Sequence, residues 1–443
     1  MKLKKAAAVI SAAVILCLSG CNIADLSFED SLRPPKTMGD EAEIEKLISD
    51  TAKGKYTLKY PKSGSYRSAI IMYDLDGDNI DEAVAFFKGK DDQTGVHMLV
   101  MYSLDDEWKI SSDFVTETTD VDCVDFADID NKDGFEILAG YTTYSPNVNF
   151  LSCYSYSKGE TGTIPSGQNY SSFYCGNLDN NGKSKIITLS LYNADTEAKA
   201  AMLEYNAEKK LIYAKSSAPM DPNVVKYKSI ALTDLDSSLK AVVVDGTFAS
   251  GELVTQVIYY NQSLAVLRNP LYKEKQKNPT LRLENVVSTD TDGDSKIEIP
   301  MVEKLPYSGA DMLNNVADKI TWCAFNPENE SLSVKSVVAV NYKCGFSVKK
   351  PDKWADGSYT ALNSDSTMTF YEWNQNALGE QLFEIKAFDV AVWDQGKVID
   401  GYTLIYRDNR YAYAFTNSAN KSPLRLTDDE IKTAFSVIDQ TLD

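Results

Sequence analysis

Five short acidic loops recur along the chain at nearly constant spacing, and a fixed period limits the possible architecture more than any single motif does. "YDLDGDNIDEAVAFF" opens its loop at Asp74, "FADIDNKDGFEILAGY" at Asp128, "CGNLDNNGKSKIITLSL" at Asn177, "ALTDLDSSLKAVVVDG" at Asp234 and "VSTDTDGDSKIEIPMV" at Asp290, at intervals of 54, 49, 57 and 56 residues. Each loop precedes a β-prone run such as "EAVAFF", "KIITLSL" or "KAVVVD". Between loops lie further strand candidates, among them "HMLVMYSL", "WKISSDFV", "NFLSCYSY", "KAAMLEYN" and "LVTQVIYYN", separated by turn formers such as "SKGE" and "AEKK".

Roughly four strands per repeat of about fifty residues predicts a propeller blade. Residues 66–340 accommodate five. The loops themselves point to a metal, because crowded carboxylates repel unless protons or a cation relieve them. Asp74, Asp76, Asp78 and Glu82 fall at positions 1, 3, 5 and 9, where alternate side chains can converge. An all-oxygen set suits a hard cation, and Ca²⁺ tolerates irregular shells better than Mg²⁺ does. An EF-hand is a poorer fit: position 6 is Asn79 rather than Gly, and the flanks are β-prone rather than helical.

These repeats resemble the FG-GAP or VCBS type of integrin α-chain propellers and bacterial surface proteins, in which a DxDGDGxxE loop binds Ca²⁺. The resemblance implies Asp74, Asp76, Asp78 and Glu82 as ligands in the first loop, with the carbonyl of Ile80. In the fifth it implies Asp290, Asp292, Asp294 and Glu298, with the carbonyl of Lys296. The second loop keeps Asp128, Asp130 and Glu136 but has Lys132 at position 5, where an ammonium could stand in for the ion, so it is a marginal site. The third loop ends on Lys185 and the fourth keeps only Asp234 and Asp236, so both are expected to be vestigial. Such a Ca²⁺ stiffens a turn or, alternatively, bridges to a ligand.

The ends of the chain read differently. Lys2, Lys4 and Lys5, the apolar "AAAVISAAVILCL" and "LSGC" resemble the leader and lipobox of bacterial lipoproteins. This predicts a signal peptide over 1–20, lipidation at Cys21, and a protein anchored outside the bacterial cytoplasmic membrane. Residues 21–39 read as a tether broken by Pro34 and Pro35. Residues 40–65 form a lead-in whose Ile44, Leu47, Ile48 and Ala52 share one helical face.

After residue 340 the period is lost. "STMTFYEWN", "QLFEIKAFDVAVW", "GYTLIYRDN" and "RYAYAFTN" predict an antiparallel sheet, and Thr427 with Glu430 predicts a capping box on a final helix lined by Ile431, Phe435, Ile438 and Leu442. The expected class is therefore mainly β: a propeller of about five blades with calcium loops, followed by an α+β domain over 341–443. The aromatic residues of this tail are expected mostly in its core.

Three of the 45 basic residues lie in the leader, leaving 42 against 64 acidic, a net charge of −22. That surface argues against nucleic acid as a partner. No phosphate-binding loop or dinucleotide fingerprint is present, so nucleotides are not expected either. Cys123, Cys153, Cys175, Cys323 and Cys344 show no CxxC spacing, which predicts buried thiols and one disulfide at most. His97 is the single histidine, which leaves a histidine-dependent nucleophile little room. The function expected is a binding module for extracellular protein or glycan, with Ca²⁺ as a structural cofactor. The alternative is a glycosidase or lyase using carboxylates at the propeller mouth.

Overall fold

The computed structural model describes residues 39–90, 95–132, 134–178, 184–395 and 401–438. The leader, Cys21 and most of the tether lie outside these residues. Helix α1 (Asp40–Thr51) leads into β1 (Tyr56–Leu58), and four antiparallel sheets follow in chain order. The first contains β2 (Ile70–Tyr73), β3 (Glu82–Gly89), β4 (Val96–Leu104) and β5 (Glu107–Thr116), with β1 and β2 sharing one edge of β3. The second contains β6 (Val121–Ala127), β7 (Glu136–Thr142), β8 (Asn149–Ser157) and β9 (Glu160–Tyr170). The third contains β10 (Ser172–Gly176), β11 (Lys185–Ser190), β12 (Lys199–Asn206) and β13 (Leu211–Pro219). The fourth contains β14 (Val224–Asp234), β15 (Lys240–Phe248), β16 (Leu253–Asn261) and β17 (Val266–Arg268).

Each sheet is a plain meander, so sequential strands pair. Tight hairpins make this possible: Asp105 and Asp106 both take positive φ between β4 and β5, as do Lys158 and Gly159 between β8 and β9. Two such residues match the right-handed strand twist. The middle strands are buried along almost their whole length, β3 and β16 among them. A strand covered on both faces must read as a continuous apolar run, and "EAVAFF" and "LVTQVIYY" do.

Neighbouring side chains on these strands serve opposite cores. Ile137 and Ala139 pack toward Val84 and Phe86 of the first sheet, whereas Leu138 packs toward Ile186 and Leu203 of the third. Ile187 and Leu189 meet Val242 and Val244, and Val243 and Val257 meet Ile299 and Phe325. Helix α1 covers the remaining face of the first sheet with Ile44 and Ile48 against Phe87, Leu99 and Met101. The result is a propeller-like series of sheets. Among the described residues the cores run in chain order, and none joins the first sheet to the last two.

The fifth sheet contains β18 (Ile299–Lys304), β19 (Asp318–Asn326), β20 (Ser331–Asn341), β21 (Phe346–Lys349) and, from the chain's end, β27 (Phe435–Val437); the short helix α2 (Gly309–Leu313) joins β18 to β19. Its first strand is reduced to a bridge between Thr289 and Glu298. The sixth sheet orders β22 (Tyr359–Asn363), β23 (Thr367–Asn374), β24 (Ala377–Asp389), β26 (Tyr411–Asn417) and β25 (Thr403–Arg407), with α3 (Val390–Trp393) and α4 (Asp428–Ala434) alongside.

Two expectations change here. A boundary at 340/341 would cut the fifth sheet, which takes β21 and β27 from beyond it, and one core fuses this sheet to the sixth through Phe346, Trp354, Phe370 and Phe383. The final helix has its capping box at Thr427 and Glu430 but stops at Ala434. Phe435 turns extended and the next residues pair with β21, because that edge offers unpaired backbone groups at the point where the helix arrives. Leu442 lies outside the described residues.

All five later cysteines are free thiols, four of them buried, so no disulfide forms among them. Most of the tail's aromatic rings, such as Phe346, Trp354, Phe370 and Tyr413, are core, while Tyr406 is exposed. No described helix is long and apolar enough to cross a membrane.

Candidate functional site

Each acidic loop lies between the first two β segments of its repeat, and the first and fifth fold almost identically. Asp74 accepts from the backbone N–H groups of Gly77 at 2.8 Å and Asn79 at 3.0 Å; Asp290 accepts from Gly293 at 2.7 Å and Ser295 at 2.8 Å. Asp78 takes the N–H of Ile80 and Asp294 that of Lys296, at 2.7 and 2.9 Å. The N–H groups of Ile80 and Lys296 therefore point into the loop; nothing further places their carbonyls on an ion. Gly77 and Asn79, like Gly293 and Ser295, take positive φ, which winds the loop tightly enough for alternate side chains to meet.

The outcome is three carboxylates facing one point. Asp74, Asp76 and Asp78 each bring an oxygen to within 4.8 Å of the others, as do Asp290, Asp292 and Asp294. Oxygens bound to one Ca²⁺ at about 2.4 Å are separated by at most about 4.8 Å, so the spacing fits. Glu82 and Glu298 are not part of these close trios. They lie beneath the loops, where Glu82 accepts from Leu75 N–H at 2.8 Å and Glu298 accepts from Thr291 N–H at 2.8 Å and from its hydroxyl at 2.7 Å. Glu298 is 0 % exposed and its Oε1 has no hydrogen-bond donor; Asp76 likewise keeps a buried oxygen without one. A buried carboxylate oxygen left without a partner is costly, and a cation would satisfy it.

The second loop gathers Asp128, Asp130 and Glu136 instead, with Glu136 inside the trio. Lys132 bonds Asp130 through its ammonium, the substitute for an ion that its position suggested. In the fourth loop Lys240 pairs with Asp234 at 3.2 Å. In the third, Lys185 occupies the glutamate position and pairs with Glu204 at 3.0 Å, while Asp179 and Asn181 lie outside the described residues. Sequence reading treated the first and fifth loops alike and missed Lys335. This residue reaches from β20 to Asp292 and Asp294, 3.2 Å from each, and no comparable cation meets the first loop among the described residues.

Successive loops are also clasped together. Phe135 N–H donates to Leu75 O at 2.7 Å, Ser184 N–H to Asp128 O at 3.0 Å, Lys240 N–H to Leu178 O at 3.1 Å, and Ile297 N–H to the Thr233 hydroxyl at 2.8 Å.

Electrostatics gives the metal-free loops a pH signature. Burial, with the Asp76 and Asp78 charges, pushes Glu82 up to about 7; burial, with Asp130 and Asp128, does the same for Glu136. Between the ordinary carboxylate value and about 7 the folded state then binds more protons than the unfolded chain, so stability falls as pH rises through that window. We expect chelated protein to melt higher at about pH 5.5 than at about pH 7.5, and the difference to shrink in the double variant Glu82→Gln, Glu136→Gln. Equal slopes for variant and parent would show that these groups do not titrate there.

At the opposite ends of the first strands lies a cleft of about 680 Å³. β6, β10 and β14 line it together with residues 63–65, as inner strands converging on a common axis do. Asp122 and Asp125 come from the second sheet, Phe173 and Tyr174 from the third, and Lys226 and Lys228 from the fourth. Tyr170 donates its hydroxyl to Asp122 at 2.7 Å. Burial raises Asp125, and burial with the Asp122 charge pushes the Cys123 thiol up, which disfavours a thiolate nucleophile. His97 lies apart in β4, stacked on Phe87 with Nδ1 2.9 Å from Asp113.

No cleft residue belongs to a local motif, so reading the chain segment by segment passed over them. Only their phase marks them: Asp122 and Asp125 precede Asp128 by six and three residues, and Lys226 and Lys228 precede Asp234 by eight and six.

No protein-family model matches the chain, and no curated protein matches it. Among solved structures, it is similar to Bacillus licheniformis rhamnogalacturonan lyase at 10% identity, covering 81% of this chain and 91% of that one with a TM-score of 0.29. A Saccharomyces cerevisiae protein, Sqt1, gives 11% identity, 81% and 86% coverage and a TM-score of 0.33. The WD40 domain of Toxoplasma gondii coronin gives 10%, 79%, 82% and 0.24. These likenesses are too distant to carry a function, and the reading below rests on this chain's own residues.

Proposed function

We propose that the chain is a lipid-anchored, calcium-stabilised propeller of about five blades, held outside the bacterial membrane through Cys21 and acting as a binding module for extracellular protein or glycan. The observation that carries the calcium reading is Glu298, fully buried beneath the Asp290, Asp292 and Asp294 trio with one oxygen unpartnered. Residues whose oxygens are spaced for one ion are Asp74, Asp76 and Asp78 in the first loop and Asp290, Asp292 and Asp294 in the fifth, with Glu298 beneath the latter; Asp128, Asp130 and Glu136 form a weaker set because Lys132 stands at a ligand position within the loop itself. The ion supplies charge neutralisation and a fixed turn, and no reaction step is assigned to it.

Along β6 the cleft's Asp122 and Asp125 stand about 20 Å and about 10 Å from the loop at Asp128, six and three residues at about 3.3 Å each. These distances support a structural rather than a ligand-bridging metal.

Melting with and without EGTA tests the reading, using the full chain and the double variant Asp76→Ala, Asp292→Ala. At a free Ca²⁺ concentration ten times Kd, each site contributes about 1.4 kcal/mol. We expect chelation to lower the midpoint of the parent and leave the variant unmoved. An unchanged parent midpoint would remove calcium from the account. Lipidation is read separately, by metabolic labelling with a fatty acid that Cys21→Ala abolishes.

A second reading, carbohydrate-active chemistry, draws on Asp122 and Asp125 sharing the cleft, with Asp125 raised by burial above the ordinary carboxylate value. Hydrolysis or elimination of an oligosaccharide that Asp125→Asn removes would establish it.

A further inference from the structure

The walls of the cleft are sorted by charge. Asp122 and Asp125 stand on the second sheet, Lys226 and Lys228 on the fourth, and the half-buried rings of Phe173 and Tyr174 lie between them on the third. On its rim, the loop that contributes Asn147 also carries Tyr144, 91% exposed, and the loop after Leu191 carries Tyr192, 62% exposed. Both rings offer exposed apolar area, each with a polar hydroxyl, to a solute bound at the cleft's edge.

A neutral sugar filling this space would strip water from both charged walls and return no opposite charge to either. An anion such as a nucleotide would meet the carboxylate wall. The complementary solute carries an amine at one end and a carboxylate at the other, with an apolar or aromatic group between. Sheets packed about 10 Å apart place the second and fourth walls within about 20 Å, and the charged side chains reach into that gap from both walls. Three extended residues span about 10 Å.

From this juxtaposition we propose that the cleft binds short peptides with free termini, the amine held by Asp122 and Asp125 and the carboxylate by Lys226 and Lys228. This deepens the binding-module reading and rests on it. Asp122 is oriented by the Tyr170 hydroxyl, and Asp125, which accepts from the adjacent Phe126 N–H at 3.0 Å, has further acceptor capacity for an ammonium. The aromatic wall of Phe173 and Tyr174 takes the central side chain.

The test is calorimetric titration of the full chain in detergent, with calcium present, using the tripeptide Ala-Tyr-Ala. The probes are its free form, its N-acetyl form, its C-terminal amide and the neutral trisaccharide maltotriose. We expect the free peptide to bind, each capped form to lose at least tenfold, and the trisaccharide not to bind. Asp125→Asn should erase the penalty for acetylation while keeping that for amidation. The double variant Lys226→Gln, Lys228→Gln should do the reverse, and unchanged melting midpoints would show both variants folded. Equal binding of free and capped peptides, binding of the trisaccharide alone, or no binding by any probe overturns the proposal. Survival of the calcium response in the same sample would confine that failure to the cleft.

Discussion

Replacing Arg282 by alanine is expected to cost about 3–5 kcal/mol, read as a fall in the denaturation midpoint. Arg282 and Asp245 are an ion pair with side chains 0% and 1% exposed, joined at 2.9 Å. The guanidinium also donates to Val286 O at 2.6 Å, Thr280 O at 3.0 Å and the Thr255 hydroxyl at 3.0 Å. Asp245 in turn accepts from Ser288 N–H at 2.7 Å and from the Thr255 hydroxyl at 2.6 Å. This network fastens the long connection between β17 and β18 to the fourth sheet. Removing the arginine strands a carboxylate in a dry interior, which costs more than the pair contributes. The double variant Arg282→Met, Asp245→Leu should therefore be less destabilised than Arg282→Ala alone. Equal losses would mean the network's other bonds, not the charge, set the cost.

Trp354→Ala should cost a similar amount, about 3–5 kcal/mol. Its ring is buried against Tyr359, Phe370 and Phe383, and its indole N–H donates to Leu424 O at 2.7 Å. Because this core spans the fifth and sixth sheets, the two are expected to unfold together. Hydrogen exchange checks this: in Trp354→Ala, amides of β19 and β24 should lose protection in parallel. Loss confined to the sixth sheet would instead mark an independent C-terminal domain.

How much was legible depended on whether the signal was local. Strands such as "KAAMLEYN" and "LVTQVIYYN" match β12 and β16 end to end, because apolar runs bounded by turn formers leave one solution. The capping box at Thr427 was legible for the same reason. Phe435 was not: its spacing from Ile431 suits a helix, and only the open edge of β21 draws it into a sheet. The aspartate trios could be read from spacing within nine residues, but Lys335 meets them from another strand. The cleft was invisible because its walls come from three repeats and meet only after folding.

The clasps between successive loops have a consequence for how such a chain can change over generations. Four of the eight groups that form them are backbone N–H donors and three are backbone carbonyls. Bonds of this type survive replacement of the side chains around them. An interior loop can thus carry fewer carboxylates, as the third does, while the main chain of the following repeat still holds it in place through the Lys240 N–H to Leu178 O bond. The repeat series is insured against erosion at its middle, and the complete acidic sets persist at its first and fifth members.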